Sequence, residues 1–190
     1  MCSLKPSDST PFAEICSRWA ENPTRGEIVS ELTVPPRHAE TAAFPPWLPP
    51  KLVAALEERG ISSPYAHQAA AWRELHDGRN TVIATPTASG KTLCYNVPVL
   101  SALAQSPHGS ALYLFPTKAL SRDQQESIVT LAGSADINAQ ISVCDGDTPS
   151  RERRAARSQS RLIITNPDML HTGILPHHAS WASFLAGLSF

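Results

Sequence analysis

Three short apolar runs, Thr81-Val82-Ile83-Ala84, Ala111-Leu112-Tyr113-Leu114-Phe115 and Leu162-Ile163-Ile164-Thr165, constrain the fold more than any other feature of the chain. None alternates apolar with polar residues, so each reads as a strand covered on both faces. A weaker run spans 140–144, and helical stretches near 91–103, 118–131, 149–158 and 178–187 separate or follow these segments. That βαβ rhythm predicts an α/β fold with a parallel, doubly wound sheet between helical layers. Two further helices are expected upstream. One starts at Pro50, carries Leu52, Val53 and Leu56 and is closed by Gly60; the other runs from about 66 to 76 and stops at Gly78.

With 190 residues the chain has the length of one domain plus an appended segment. Its 17 prolines are about twice the ordinary share and concentrate before residue 50, in Val34-Pro35-Pro36-Arg37 and Phe44-Pro45-Pro46-Trp47-Leu48-Pro49-Pro50. Such runs continue neither a helix nor a central strand. Residues 1–48 therefore read as a Pro-rich N-terminal extension: a helix near 11–21, a short strand near 27–34, and an extended arm that packs Trp47 on a larger body. Residues 49–190 read as the domain itself. Four scattered cysteines, Cys2, Cys16, Cys94 and Cys144, suggest neither a zinc knuckle nor a disulfide framework. His171, His177 and His178 lack a carboxylate or thiol to complete a metal site. No stretch is apolar enough to span a membrane and the N-terminus has no signal-like core, so a cytoplasmic protein without membrane association is expected. Sixteen basic against seventeen acidic residues leave a net charge of −1, so any polyanion must be held locally.

The segment Thr85-Pro86-Thr87-Ala88-Ser89-Gly90-Lys91-Thr92 follows the first apolar run directly and opens an apolar-periodic helix. A loop of small residues lets consecutive backbone N–H groups point at a phosphate, and the start of the helix adds its partial positive charge. Lys91 would reach the β- and γ-phosphates of a nucleoside triphosphate, and Thr92 would offer its hydroxyl to Mg²⁺. ATP with Mg²⁺ is thus the expected ligand, with Thr85, Pro86, Thr87, Ala88, Ser89 and Gly90 forming the cradle. Thr85 stands where the strict phosphate-loop pattern has glycine.

The loop resembles the ATP-binding motif of superfamily 2 DEAD/DEAH-box helicases, a group in which the first glycine is commonly replaced. The likeness extends over roughly 50–190. Pro64-Tyr65-Ala66-His67-Gln68-Ala69-Ala70-Ala71-Trp72 resembles the Q motif, which implies that Gln68 reads the adenine edge through its amide. Leu114-Phe115-Pro116-Thr117-Lys118-Ala119-Leu120 resembles motif Ia, which implies contacts from Pro116, Thr117 and Lys118 to a nucleic-acid backbone. Val143-Cys144-Asp145-Gly146-Asp147-Thr148-Pro149 resembles the glycine-containing loop after the fourth strand, with Gly146 on the same path. Asp145 as a Mg²⁺-holding acid is the alternative there. Ile163-Ile164-Thr165-Asn166-Pro167-Asp168-Met169-Leu170 resembles motif Ib, with Thr165 as a further backbone contact and Asn166 or Asp168 ordering the turn. Between the last two lies Arg151-Glu152-Arg153-Arg154-Ala155-Ala156-Arg157, then Arg161: a solvated helix face, or part of an electrostatic footprint in which Arg153 takes part.

Within the superfamily the strings look most like bacterial repair-type helicases with a metal-binding C-terminal domain, the Mrr-repair-factor-like group. That resemblance implies a RecA-like fold, single-stranded DNA as partner and 3′ to 5′ movement. The family's acidic D-E-x-[H/D] motif is missing, since the chain contains no Asp-Glu dipeptide. The expectation is an N-terminal helicase portion, incomplete at its C-terminal edge, without the second RecA-like domain. A P-loop NTPase or kinase unrelated to nucleic acid, or a non-catalytic remnant, are the alternatives.

Overall fold

The computed structural model describes residues 11–21 and 39–190. The chain divides after His38, and Ala39–Phe190 forms one compact unit. In the first unit a helix, α1 (Pro11–Ala20), has Glu14 in its first turn and Arg18 in its last, both matched to the helix dipole. The strand expected near 27–34 lies outside the described residues.

The second unit opens with the extended arm. It runs antiparallel to residues 64–66 through a bridge between Thr41 and Tyr65, with Ala42 N–H on Pro64 O and Ala66 N–H on Glu40 O. Phe44 stacks on Trp72 and Trp47 stacks on His76, the second pair 4.1 Å apart and 4° from parallel, so the expected docking of Trp47 is found. Helix α2 (Pro50–Glu58) starts with proline, and α3 (Ala66–His76) occupies the predicted span. Helix α4 (Lys91–Gln105) follows the phosphate loop. Strand β1 (Ala111–Leu114), α5 (Lys118–Ser134), β2 (Ile141–Val143), α6 (Ser150–Gln159) and β3 (Leu162–Thr165) complete the alternation. Pro167–Met169 forms α7; a π turn (Leu170–Ile174), a 3₁₀ stretch (Leu175–Trp181) and α8 (Ala182–Ala186) take the place of the single helix expected at 178–187.

The sheet is parallel, in the order β1-β3-β2, with Ala111 opposite Leu162 and Ile141 opposite the same residue. Side chains alternate between faces along a strand. One face therefore carries Ala111, Tyr113, Leu162 and Ile164 into a core with Leu52, Leu56, Val97, Leu100, Ile128 and Leu131 from α2, α4 and α5. The opposite face puts Ile163 and Leu112 against Cys144, Ile174, Trp181 and Phe184. All four residues of β3 are buried, as its unbroken apolar run predicts. The chain moves outward from β1 to β2 through α5 and back to β3 through α6. Crossovers of one hand made in opposite directions place their helices on opposite faces, and α6 accordingly meets α8.

Residues 81–84 do not form the expected strand. They pair with no strand among the described residues, and Val82 is 94% exposed. The free side of β1 is taken instead by the end of the chain: Ser110 bridges Leu188 in parallel, Ser189 N–H reaches Ser110 O and Leu112 N–H reaches Phe190 O. Gly187 permits this approach, because a Cβ there would lie 2.3 Å from the His108 carbonyl. Arg161 fastens the same end of the sheet, its guanidinium donating to the carbonyls of Leu103, Ser106, Gly109 and Asn138. It belongs to the scaffold and not to a charged footprint.

Candidate nucleotide site and nucleic-acid face

Ala88 and Gly90 both adopt positive φ, 59° and 74°, and Gly90 caps α4 in the left-handed region. Lys91 and Thr92, the first residues of that helix, stand at the mouth of the loop. The Lys91 ammonium bonds the carbonyls of Thr85 (2.8 Å) and Pro86 (2.5 Å) and reaches the Ser89 hydroxyl at 3.4 Å. Thr85 and Ser89 share a hydroxyl bond of 2.6 Å, so threonine at the first position closes the loop with a side chain where glycine would leave a gap. Pro86 and Thr87 are exposed. The phenol of Tyr95, one turn past Thr92, donates to Gln124 Oε1 at 2.8 Å; burial pushes its pKa up and the Thr92 hydroxyl opposes that shift.

Gln68 is brought to the loop. It is 2% exposed, its Oε1 accepts the Tyr65 N–H at 2.9 Å and its Nε2 donates to Gly90 O at 2.9 Å. A Cβ on residue 90 would lie 2.7 Å from that Nε2, so glycine is needed for the approach as well as for φ. In this arrangement both ends of the amide hold α3 to the loop. Trp72 supports the same junction by donating its indole N–H to Leu93 O at 2.8 Å. His67 bonds Ser89 O at 3.0 Å and stacks against Tyr65. Sequence reasoning missed His67 and Tyr65; their place beside Gln68 at a helix start was the available signal.

The second set of residues meets on another edge. Pro116 is exposed, and Thr117 caps α5 by accepting the Leu120 N–H at 3.3 Å, which leaves its own O–H able to donate. Lys118 pairs with Asp147, so the segments around residues 117 and 146 do come together. The partners are 29 residues apart, and no spacing rule announces them. Gly146 is exposed, with open space where a Cβ would stand. Asp145 is 5% exposed, and its Oδ1 accepts from the Asp147 N–H and the Thr148 hydroxyl, both at 3.0 Å. That carboxylate closes a turn, which does not favour it as a metal-holding acid.

Two residues expected on the backbone path, Thr165 and Arg153, are engaged within the fold. Thr165 is 1% exposed and donates its hydroxyl to Cys144 O, so it ties β3 to the neighbouring loop instead of facing solvent. Arg153 turns back to donate to Asp145 O at 3.4 Å and Thr148 O at 3.2 Å, shaping the 145–149 loop from within. Arg151 and Arg154 keep their exposure. Asn166 caps the next turn, accepting the Met169 N–H at 2.8 Å, as its position predicts.

The chain is 43% identical over 163 residues to the uncharacterized ATP-dependent helicase YprA of Bacillus subtilis (strain 168), covering 86% of this chain and 22% of that protein. It is 41% identical over 155 residues to the ATP-dependent helicase HRQ1 of Saccharomyces cerevisiae, covering 80% of this chain and 14% of that one. Among solved structures, the helicase MrfA bound to DNA and AMPPNP superposes with a TM-score of 0.79 at 44% identity, over 82% of this chain and 22% of that chain. The chain thus spans no more than 22% of the length of these relatives. The sequence pattern of one family covers residues 65–189, from Tyr65 beside the phosphate loop to the segment that pairs with β1, and by that match the chain belongs to the DEAD/DEAH box helicases.

Proposed function

We propose that this chain is the ATP- and nucleic-acid-binding part of an ATP-dependent helicase acting on DNA. The observation that carries the proposal is the loop 85–92: two residues at positive φ, an αL glycine capping a 15-residue helix, and Lys91 spanning the loop carbonyls at its mouth. In that position the ammonium can exchange carbonyl oxygens for the more strongly charged oxygens of a β- or γ-phosphate. Thr92 fits a supporting role toward Mg²⁺, which keeps several waters and is held through one or two protein groups plus the phosphates. When bound, the cation neutralises charge on the phosphates. Lys91 binds and orients the phosphates, Gln68 and Gly90 fix the loop against α3, and Ser89 is steadied by Thr85 and His67.

For the partner, Lys118, the Thr117 hydroxyl and the exposed turn at Gly146 form a face suited to the phosphates of a single DNA strand, with Arg151 and Arg154 adding long-range attraction. The relative MrfA has been crystallised with DNA and AMPPNP, which supports both ligands. The relatives' greater length supports a larger protein in which a second RecA-like domain and the water-orienting acids complete the ATPase.

Titrating a fluorescent ATP analogue tests the proposal. Lys91→Ala should weaken binding by about 30-fold, the equivalent of ~2 kcal/mol for a charge-assisted contact. Equal affinity of the two proteins would remove the phosphate-loop assignment.

A further inference from the structure

Lys118, on the proposed strand path, is already occupied. Its ammonium donates to Asp147, and both side chains stand well out in solvent, 47% and 73% exposed. The turn that carries Asp147 is built to present it. Asp145 folds its carboxylate onto the Asp147 N–H and the Thr148 hydroxyl, Thr148 accepts the Asp145 N–H at 2.9 Å, and Arg153 gathers the carbonyls of Asp145 and Thr148. With the turn's other polar groups closed on one another, the Asp147 carboxylate is left directed across to the first residue of α5. A carboxylate there has the charge and acceptor oxygens of a phosphodiester, and it meets the same cation.

We propose that Asp147 is an intramolecular stand-in for a nucleic-acid phosphate, which holds Lys118 in the absence of a strand and is displaced when a phosphodiester arrives. Asp147 thereby sets the affinity of this face and its sensitivity to salt. The proposal rests on Lys118 being a backbone contact. Each binding event breaks one ion pair to make another, so the gain is smaller than for an unoccupied lysine. The freed carboxylate also collects a cation from solution. Net counterion release is then less than the number of phosphates neutralised.

Fluorescence anisotropy of a labelled oligothymidylate, titrated with the full chain over a range of salt concentrations, reads both effects. Asp147→Asn should tighten binding about two- to fivefold at low salt, on the scale of an exposed ion pair. It should also steepen the slope of log affinity against log salt by up to ~0.7, the value for one phosphate on a single strand. Lys118→Ala should weaken binding, and in that background Asp147→Asn should give no gain. Asp136→Asn is the charge control. It breaks the still more exposed Lys51–Asp136 pair just past the far end of α5, about 25 Å along the helix, at a positive φ that asparagine accepts.

Unchanged affinity and slope for Asp147→Asn, with Lys118→Ala still weakening binding, would overturn the stand-in and leave the strand path in place. An equal gain from Asp136→Asn, or a gain from Asp147→Asn that survives Lys118→Ala, would reduce the effect to general repulsion and overturn it too. No loss on Lys118→Ala would place the strand elsewhere and remove both readings.

Discussion

Gln68 uses its amide twice, taking the Tyr65 N–H and giving a hydrogen to the Gly90 carbonyl, at 2% exposure. Its removal would leave two polar backbone groups short of a partner. Gln68→Ala should therefore cost about 2 kcal/mol of stability, read as a lowered midpoint in urea. If the side chain acts through these loop contacts, ATP and GTP should lose affinity by the same factor. Competition of the two nucleotides against a labelled analogue measures this; a loss confined to ATP would return Gln68 to the base edge. The residue's importance was legible in the sequence, since its helix start and its distance from Lys91 fit the resemblance. Its bonding partner was not, because the Gly90 carbonyl lies 22 positions away and only the packing of α3 on α4 brings it near.

At the scale of elements, β1 and α4 are joined by one buried polar contact, in which the Tyr113 phenol donates to Asn96 Oδ1 at 3.0 Å. Burial holds that phenol well above its ordinary value of 10.0, with the neighbouring Tyr95 adding to the shift. Above pH 10 the unfolded chain releases this proton while the native chain keeps it, so stability falls as pH rises through that region. Tyr113→Phe should lower stability at neutral pH by about 1 to 3 kcal/mol, by leaving Asn96 short of a donor. It should also make the alkaline decline shallower than in the parent, as parallel urea titrations from pH 8 to 11 would record. Parallel curves for both proteins would count against a titrating Tyr113. Strand β3 and helix α3 were legible to the residue because their signals are local: an unbroken apolar run in one, a glycine stop in the other. Residues 81–84 carry an equally apolar signal and still form no strand. A ladder needs a neighbour, and no described strand pairs with 81–84.

Across the whole compact unit, the loop at 85–92 and the Lys118–Asp147 junction are separate regions on one scaffold, the first leading into α4 and the second joining the start of α5 to the β2–α6 turn. The sheet order β1-β3-β2 sets where these regions lie, and crossovers of a single hand put α5 and α6 on its opposite faces; the βαβ rhythm of the sequence implied the parallel sheet but not the order of its strands. The side-chain pairings that finish each region, Gln68 with Gly90 and Lys118 with Asp147, depend on that order and on no local pattern. Amide hydrogen exchange, followed segment by segment for the chain alone, with a non-hydrolysable ATP analogue and Mg²⁺, and with single-stranded DNA, addresses both regions at once. The account predicts that the nucleotide slows exchange at 85–93 and that this protection disappears in Lys91→Ala, while DNA slows exchange at 116–120 and 145–149. Nucleotide protection that leaves 85–93 unchanged at saturating ligand would contradict it.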